Sequence, residues 1–457
     1  MARDTTDDTP LETREQLVRA LSDGCKPKSE WRIGTEHEKF GFYRNDYSPV
    51  PYGGERGIGA LLTSMQQRTG WEPITDSGNI IGLAAIEGGG AISIEPGGQF
   101  ELSGAPLKNV HETCRESNAH LSLLRDVCEP LGIGFLGLGG SPKWTFAETP
   151  QMPKSRYDIM RSYMPKVGSH GLDMMHRTCT IQVNLDFSSE ADMISKMQVS
   201  TRLQSVATAL FANSPFSDGK PNGLKSWRGE IWTDTDNQRA GLHEFMSHGP
   251  LSFERYTDWL LDLPMYFILR NGKYHDCTQV TFRQFMGGAL KGEVDDPVAN
   301  EGDWTNHIGT AFPDVRLKKF LEMRGADGGP WRRICALPAL WVGLLYDESA
   351  LEDAETLVSE LSFEDVRSMR AAVPNQGLAA PAGKRTVLEV ARDMLAISHR
   401  GLKARHELNE MEVDENHFLS PLDEVVALGQ TQAEKLLKQY KSNWEGDIDH
   451  IFEEYAY

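Results

Sequence analysis

The chain has 457 residues, 39% apolar and 25% charged, which argues against a wholly disordered protein. Its 47 Lys and Arg against 66 Asp and Glu give a net charge of −19, the wrong sign for a partner of polymeric nucleic acid. No run of about eighteen apolar residues offers a membrane span. The six cysteines lack a C-x-x-C spacing, so neither a zinc ribbon nor a disulfide-dense scaffold is expected; each reads as a small buried apolar residue.

The first ten residues, MARDTTDDTP, are acidic and polar and are expected to be disordered. They resemble neither a secretion signal nor an Arg-rich transit peptide, so a cytosolic protein is expected. Leu17, Val18 and Leu21 place a helix over 13–22. Residues 1–25 are read as a tail and helix preceding a single catalytic domain over 26–457. Strands are predicted around 31–43, 80–86, 92–102, 131–138, 178–187 and 320–327. Long helices are predicted over 107–128 and 191–213. Residues 290–306 read as an exposed acidic loop. From 337 to 457 the pattern is mostly helical, at 337–346, 351–360, 363–372, 385–400, 422–428 and 431–439, with a break at 374–383. Strands first and helices last define an α+β fold with a largely antiparallel sheet.

Alternate side chains of a strand share a face, so Glu36 and Glu38 point the same way, about 7 Å apart. Glu95, Gln99 and Glu101 share a parity if their strand continues past Gly97-Gly98. Thr178, Thr180, Gln182, Asn184 and Asp186 share a face, backed by Cys179, Ile181, Val183, Leu185 and Phe187. Glu322 and Arg324 share another. A solvated face mixes Lys, Thr, Ser and Glu, whereas these faces are mostly acids and amides, with one Arg. Converging carboxylates repel unless cations sit among them, and Mg²⁺ suits an all-oxygen cluster that holds phosphate.

Basic residues also group: Lys154, Arg156 and Arg161; Arg228 and Arg239; Arg316, Lys318, Lys319, Arg324, Arg332 and Arg333. Loop arginines beside Gly and Trp suit bidentate capture of carboxylate or phosphate. The segment GIGFLG at 132–137 matches a dinucleotide pattern formally, but no helix follows, so a tight strand is expected. His37 falls on the face opposite Glu36 and Glu38 and reads as structural. Acid-held Mg²⁺ with arginines is equipment for phosphoryl transfer to a small acidic substrate, with no Ser, Cys or His nucleophile required.

The segments WRIGTEHEKFGF, IEGGGAISIEPGGQFELSGAP, RTCTIQVNLDF, FANSPFSDGKPNG, SWRGEIW and EMRGADGGPWRR together resemble the plant and proteobacterial type of glutamate–cysteine ligase, from about residue 28 onward. The resemblance implies a glutamine-synthetase-like sheet curved into a funnel and surrounded by helices. It implies that ATP and two or three Mg²⁺ phosphorylate the γ-carboxylate of L-glutamate, and that L-cysteine then displaces phosphate to give γ-glutamylcysteine, the first step of glutathione synthesis. By resemblance Glu36, Glu38, Glu95, Glu101, Gln182 and Glu322 hold metal, and Glu322 and Arg324 are catalytic. Arg324 would face phosphate or the glutamyl group. Arg324 and Lys154 are the candidates for nucleotide binding, and Arg228 and Arg239 for a glutamate carboxylate. Segments 82–90, 139–141 and 214–227 are expected to act as lids. Plant members are redox-regulated through disulfides; Cys179 and Cys335 lie in family-like segments, with no partner assigned. A monomer or homodimer is expected, without nucleic acid or membrane partners. The alternatives are a ligase of the same superfamily using another amine, a kinase releasing a phosphorylated acid, and a non-catalytic Mg-ATP-binding regulator.

Overall fold

The computed structural model describes residues 4–457. Its centre is an antiparallel sheet of nine strands. These are β1 (Ile33–Tyr43), β2 (Glu72–Asp76), β3 (Asn79–Ala84), β4 (Ala91–Ile94), β5 (Phe100–Ser103), β6 (Ile133–Leu136), β7 (Thr180–Leu185), β8 (Val315–Leu317) and β9 (Leu321–Asp327). The order is β8-β9-β7-β1-β5-β4-β3-β2, with β6 paired to the far half of β1. The α+β class and the antiparallel sheet expected from the sequence are those observed. The GIGFLG segment forms β6, as its apolar run suggested.

The segment 92–102 is two strands rather than one. Glu95, Pro96, Gly97 and Gly98 make a tight turn, closed by Gly98 N–H to the Glu95 carbonyl at 2.9 Å, and Gly98 takes φ +86°. Pro96 cannot extend the ladder, and a glycine at positive φ lets the chain reverse. The reversal keeps the parity intact, because Ser93 lies opposite Glu101 and the Glu95 amide bonds the Gln99 carbonyl at 2.9 Å.

Behind the sheet, Ile181, Val183, Leu185, Leu321 and Met323 are buried. They join one apolar core with the helices Glu190–Leu210 and Trp331–Leu345. Where Trp331–Leu345 meets Val387–Arg405, a Cβ on Gly401 would lie 1.8 Å from the Gly343 carbonyl oxygen, so the close approach requires glycine. The break expected at 374–383 begins later, because the helix Phe363–Gln376 carries Pro374 in its last turn.

Two further expectations are corrected. Cys114 and Cys335 are not free thiols: they form a disulfide between the helices Val110–Cys128 and Trp331–Leu345, across 221 residues of sequence. Cys179 is buried and free, on the apolar side of β7. The acidic segment 290–306 contains the start of a helix, Glu301–Gly309, whose Trp304 is fully buried. That helix orders part of the tail expected to be disordered: Thr5, Asp7 and Thr9 bond to Asn306, Gly302 and Glu301. Residues 1–3 of that tail lie outside the described residues. Leu17 and Leu21 of the helix Arg14–Ser22 pack into the main core.

Candidate active site

The register places the acids on one face. Glu36 lies opposite Ser103 on β5 and Gln182 on β7, and Glu38 lies opposite Glu101. Each acid is oriented by a neutral donor: Asn184 Nδ2 to Glu36 at 2.8 Å, the Thr180 amide to Glu38 at 2.9 Å, Tyr157 OH to Glu95 at 3.2 Å. Ser93 and Ser103 hold the two oxygens of Glu101 at 2.7 and 2.9 Å. Neutral donors fix position without cancelling charge. Burial, then Glu322 and Glu101, therefore raise the Glu36 pKa above the ordinary 4.5. Burial, then Glu101 and Glu95, raise that of Glu38 well above it.

These acids, Gln182 and Arg324 line a cavity of about 130 Å³. Its far wall holds Arg156 and Tyr157 from the start of the helix Arg156–Tyr163, Asn306 and Thr310, Phe312, and Arg316 from β8. An all-oxygen wall with uncompensated charge fits Mg²⁺ in chemistry. Among the described residues no three His, Cys, Asp or Glu side chains are drawn together as a ready metal cage. Mg²⁺ characteristically takes one or two carboxylates and completes its shell with water and substrate phosphate, so a preformed cage is not required.

Glu322 stands apart from the other acids. It is fully buried and meets Arg316 at 2.7 Å, Lys318 at 2.9 Å and the Arg324 guanidinium. Against burial, these three cations hold its carboxyl well below the usual range. Its oxygens pair with these cations here, unlike those of the other acids, and it is the carboxylate partner of Arg324, whose Nη1 also reaches Gln182 Oε1 at 2.7 Å. Arg324 projects into the cavity beside a bulge in β9, where the pairing with β7 shifts between Met323 and Ala326.

Other assignments change as well. Arg239 is fully buried. Its donors are used by Asp236 at 2.7 Å, by Thr310 and by the Pro264 carbonyl, and it stacks on Tyr266 at 3.9 Å. It braces the wall and does not line the acid cavity. Lys154 lies behind Tyr157, whose OH it meets at 3.2 Å, and it is absent from the acid cavity. Burial lowers its pKa to about 8. The guanidinium that reaches the cavity from this segment is Arg156, two residues on. Arg156 starts a helix beside Tyr157, a signal present in the sequence but not separable from Lys154 by composition. Arg228 lines a smaller cleft of about 40 Å³ with Arg324 and Trp232. Segment 139–141 is buried, with Gly139 against Asp327, so it is no lid. Loop 214–227 is pinned at both ends, by Ser214 and Ser226 on Asp327 at 2.7 Å each.

Two larger spaces adjoin the acid cavity. A chamber of about 720 Å³ shares Glu36 with it and carries Lys318, Lys319, Ile74 and Phe320. A vestibule of about 390 Å³ shares Asp4 and Arg156 with it.

Fold and site together define an antiparallel sheet whose acidic face lines a cavity. A solved glutamate–cysteine ligase from Francisella tularensis in complex with AMP superposes with a TM-score of 0.56 at 11% identity, covering 98% of this chain and 88% of that one. The family model "Glutamate-cysteine ligase family 2(GCS2)" matches residues 32–454, and the chain belongs to that family. It is 52% identical over 448 residues to glutamate–cysteine ligase A, chloroplastic, of Oryza sativa subsp. indica, covering 97% of this chain and 88% of the relative. It is 53% identical to the chloroplastic glutamate–cysteine ligase of Brassica juncea, covering 97% and 84%. The chloroplastic relatives overturn the cytosolic expectation: an acidic, polar N-terminus does not report the compartment in which a catalytic domain works.

Proposed function

We propose that this protein joins the γ-carboxyl group of L-glutamate to the amino group of L-cysteine at the expense of ATP, giving γ-glutamylcysteine. The observation that carries the reading is the acid wall, which holds like charges together between a nucleotide-sized chamber and a vestibule. Glu36, Glu38, Glu95, Glu101 and Gln182 would hold two or three Mg²⁺, which would supply charge neutralisation to the phosphates. The 720 Å³ chamber takes the nucleoside of ATP: it lies within the size range of small-molecule sites and reaches the acids through Glu36.

A γ-carboxylate oxygen of glutamate attacks the terminal phosphorus, and the bond to the bridging oxygen breaks with its electron pair leaving on ADP. The nitrogen of cysteine then attacks the activated carbonyl carbon. Phosphate leaves with the C–O electron pair, and the nitrogen gives up a proton as the amide forms. Arg324, aimed by Glu322 and Gln182, stabilises the phosphoryl group in transit. Each amino acid also carries an α-carboxylate. Arg156 on the acid cavity and Arg228 on the 40 Å³ cleft are the guanidiniums placed for them. Burial lowers the Arg228 pKa to about 10, so it stays charged at neutral pH.

The test is ADP release with glutamate, with and without cysteine and Mg²⁺, and mass detection of the amide product. Turnover independent of cysteine, or a phosphorylated acid as end product, contradicts it. A panel of other amines decides between this ligase and one of different amine specificity.

A further inference from the structure

Residues 5–10 are exposed, yet they are laid along the helix Glu301–Gly309. Thr5 and Asn306 exchange two hydrogen bonds at 2.9 Å. The amides of Gly302 and Glu301 bond the carbonyls of Asp7 and Thr9, also at 2.9 Å. This strap delivers one carboxylate inward. Asp4 Oδ1 accepts from Arg156 Nη1 at 2.5 Å, and Tyr274 OH donates to Asp4 Oδ2 at 2.5 Å. The Asp4 side chain is only 4% exposed. Asp4 and Arg156 line both the acid cavity and the vestibule, so their ion pair is the partition between them.

We propose that the strap is an internal competitor. Asp4 holds the place on Arg156 that a substrate carboxylate takes, and the strap lifts when substrate enters. The inference rests on Arg156 being the carboxylate subsite assigned above. Two features suit an exchangeable plug. Among the described residues, the strap outside Asp4 is fixed by polar contacts of modest net strength, and the first buried apolar anchor is Leu11. The exchange is also charge-neutral, one carboxylate for another, so Arg156 is never left unpaired in a buried site. With the strap in place the vestibule ends at the ion pair; with it lifted the vestibule runs through to Glu95 and Glu101.

The experiment compares the full chain, Asp4→Asn, and a chain lacking residues 1–6. If the strap is closed in roughly 80–90% of molecules, opening it lowers the apparent KM for glutamate roughly five- to tenfold at unchanged kcat. The peptide MARDTTDDTP added to the shortened chain restores the higher KM competitively, and the same peptide with Asn for Asp does not. An unchanged KM, or a raised KM with a fallen kcat, overturns the proposal and makes the strap a structural wall. Amide exchange at Thr5 needs no turnover: added L-glutamate accelerates it if the strap lifts, and unaltered exchange overturns the strap whatever the activity. Absence of ADP release from every form, with Thr5 exchange still responsive, would instead remove the ligase reading and leave the strap.

Discussion

Glu322 and Glu36 sit on one wall in opposite electrostatic settings, so the same Glu→Gln substitution has opposite consequences. Glu322 is fully buried among Arg316, Lys318 and Arg324. Glu322→Gln keeps the shape but leaves three buried cations without that charge, and removing one partner of a buried pair costs about 3–5 kcal/mol. For 457 residues the unfolding entropy is about 1 kcal/mol per degree, so a cooperative melt falls by ~4 °C. Glu36 is stressed by burial and by Glu322 and Glu101, so Glu36→Gln removes repulsion and the metal-free melt stays level or rises. The pH dependence has a definite sign. The native pKa of Glu322 lies below 4.5, so its contribution is complete above that pH and fades as pH falls through the native value. The gap between wild type and Glu322→Gln is constant from pH 8 to 5 and closes in stronger acid. The assay is calorimetric melting of the three proteins in metal-free buffer, with circular dichroism as a check on the fold. The reasoning is refuted if Glu36→Gln melts as low as Glu322→Gln, or if Glu322→Gln melts with the wild type.

Glu38→Gln removes a carboxylate that burial and two neighbouring acids destabilise. It should abolish ADP release and weaken Mg²⁺ binding in titration calorimetry without lowering the metal-free melting temperature. Arg228→Met should lower kcat/KM by ~100-fold or more, the scale of a truncated buried charge contact. Arg239→Met should cost about 3–5 kcal/mol in stability, by the loss of its pairing with Asp236, yet leave KM for glutamate unaltered in the folded fraction. Cys114→Ser opens a cross-link over 221 residues, for which chain entropy sets a ceiling of about 5 kcal/mol, read as a lower melting temperature that reductant reproduces in the wild type. Gly97→Ala would place a Cβ 2.2 Å from the His176 carbonyl oxygen, so the turn carrying Glu95 must shift and Mg²⁺ affinity should fall.

The acid face was legible because strand parity is local: a two-residue period puts Glu36 with Glu38 and Gln182 with Asn184 whatever the neighbouring strands do. The sequence leaves open whether the strand continues past Gly97-Gly98; the chain turns there, yet its acids keep the expected face because a reversal through paired positions conserves parity. What stayed hidden is non-local. Arg156 and Lys154 differ by two positions at a helix start, and only packing shows which one Tyr157 screens. Arg239 looked like a loop guanidinium because Asp236, Thr310 and Pro264 lie up to 71 residues away. Glu322 carries the letter of a metal ligand and shares a face with Arg324 in the sequence, but only the pairing of β8 with β9 brings Arg316 and Lys318 against it as well. The acidic tail reads as solvated until Asn306 and Arg156 are seen beneath it.

Strand β9 occupies its place between β7 and β8, far along the chain from β1. A nascent polypeptide of some three hundred residues can therefore lay down β1, β5 and β7 but has neither β8 nor β9 to cover the free edge of β7. Until residues 321–327 emerge, that edge stays unpaired and the cavity lacks the guanidinium that Glu322 and Gln182 hold, and long-range pairings of this kind form slowly. Competence to handle ATP thus arrives late in synthesis and in one step, and an interrupted chain should be inert rather than partly active.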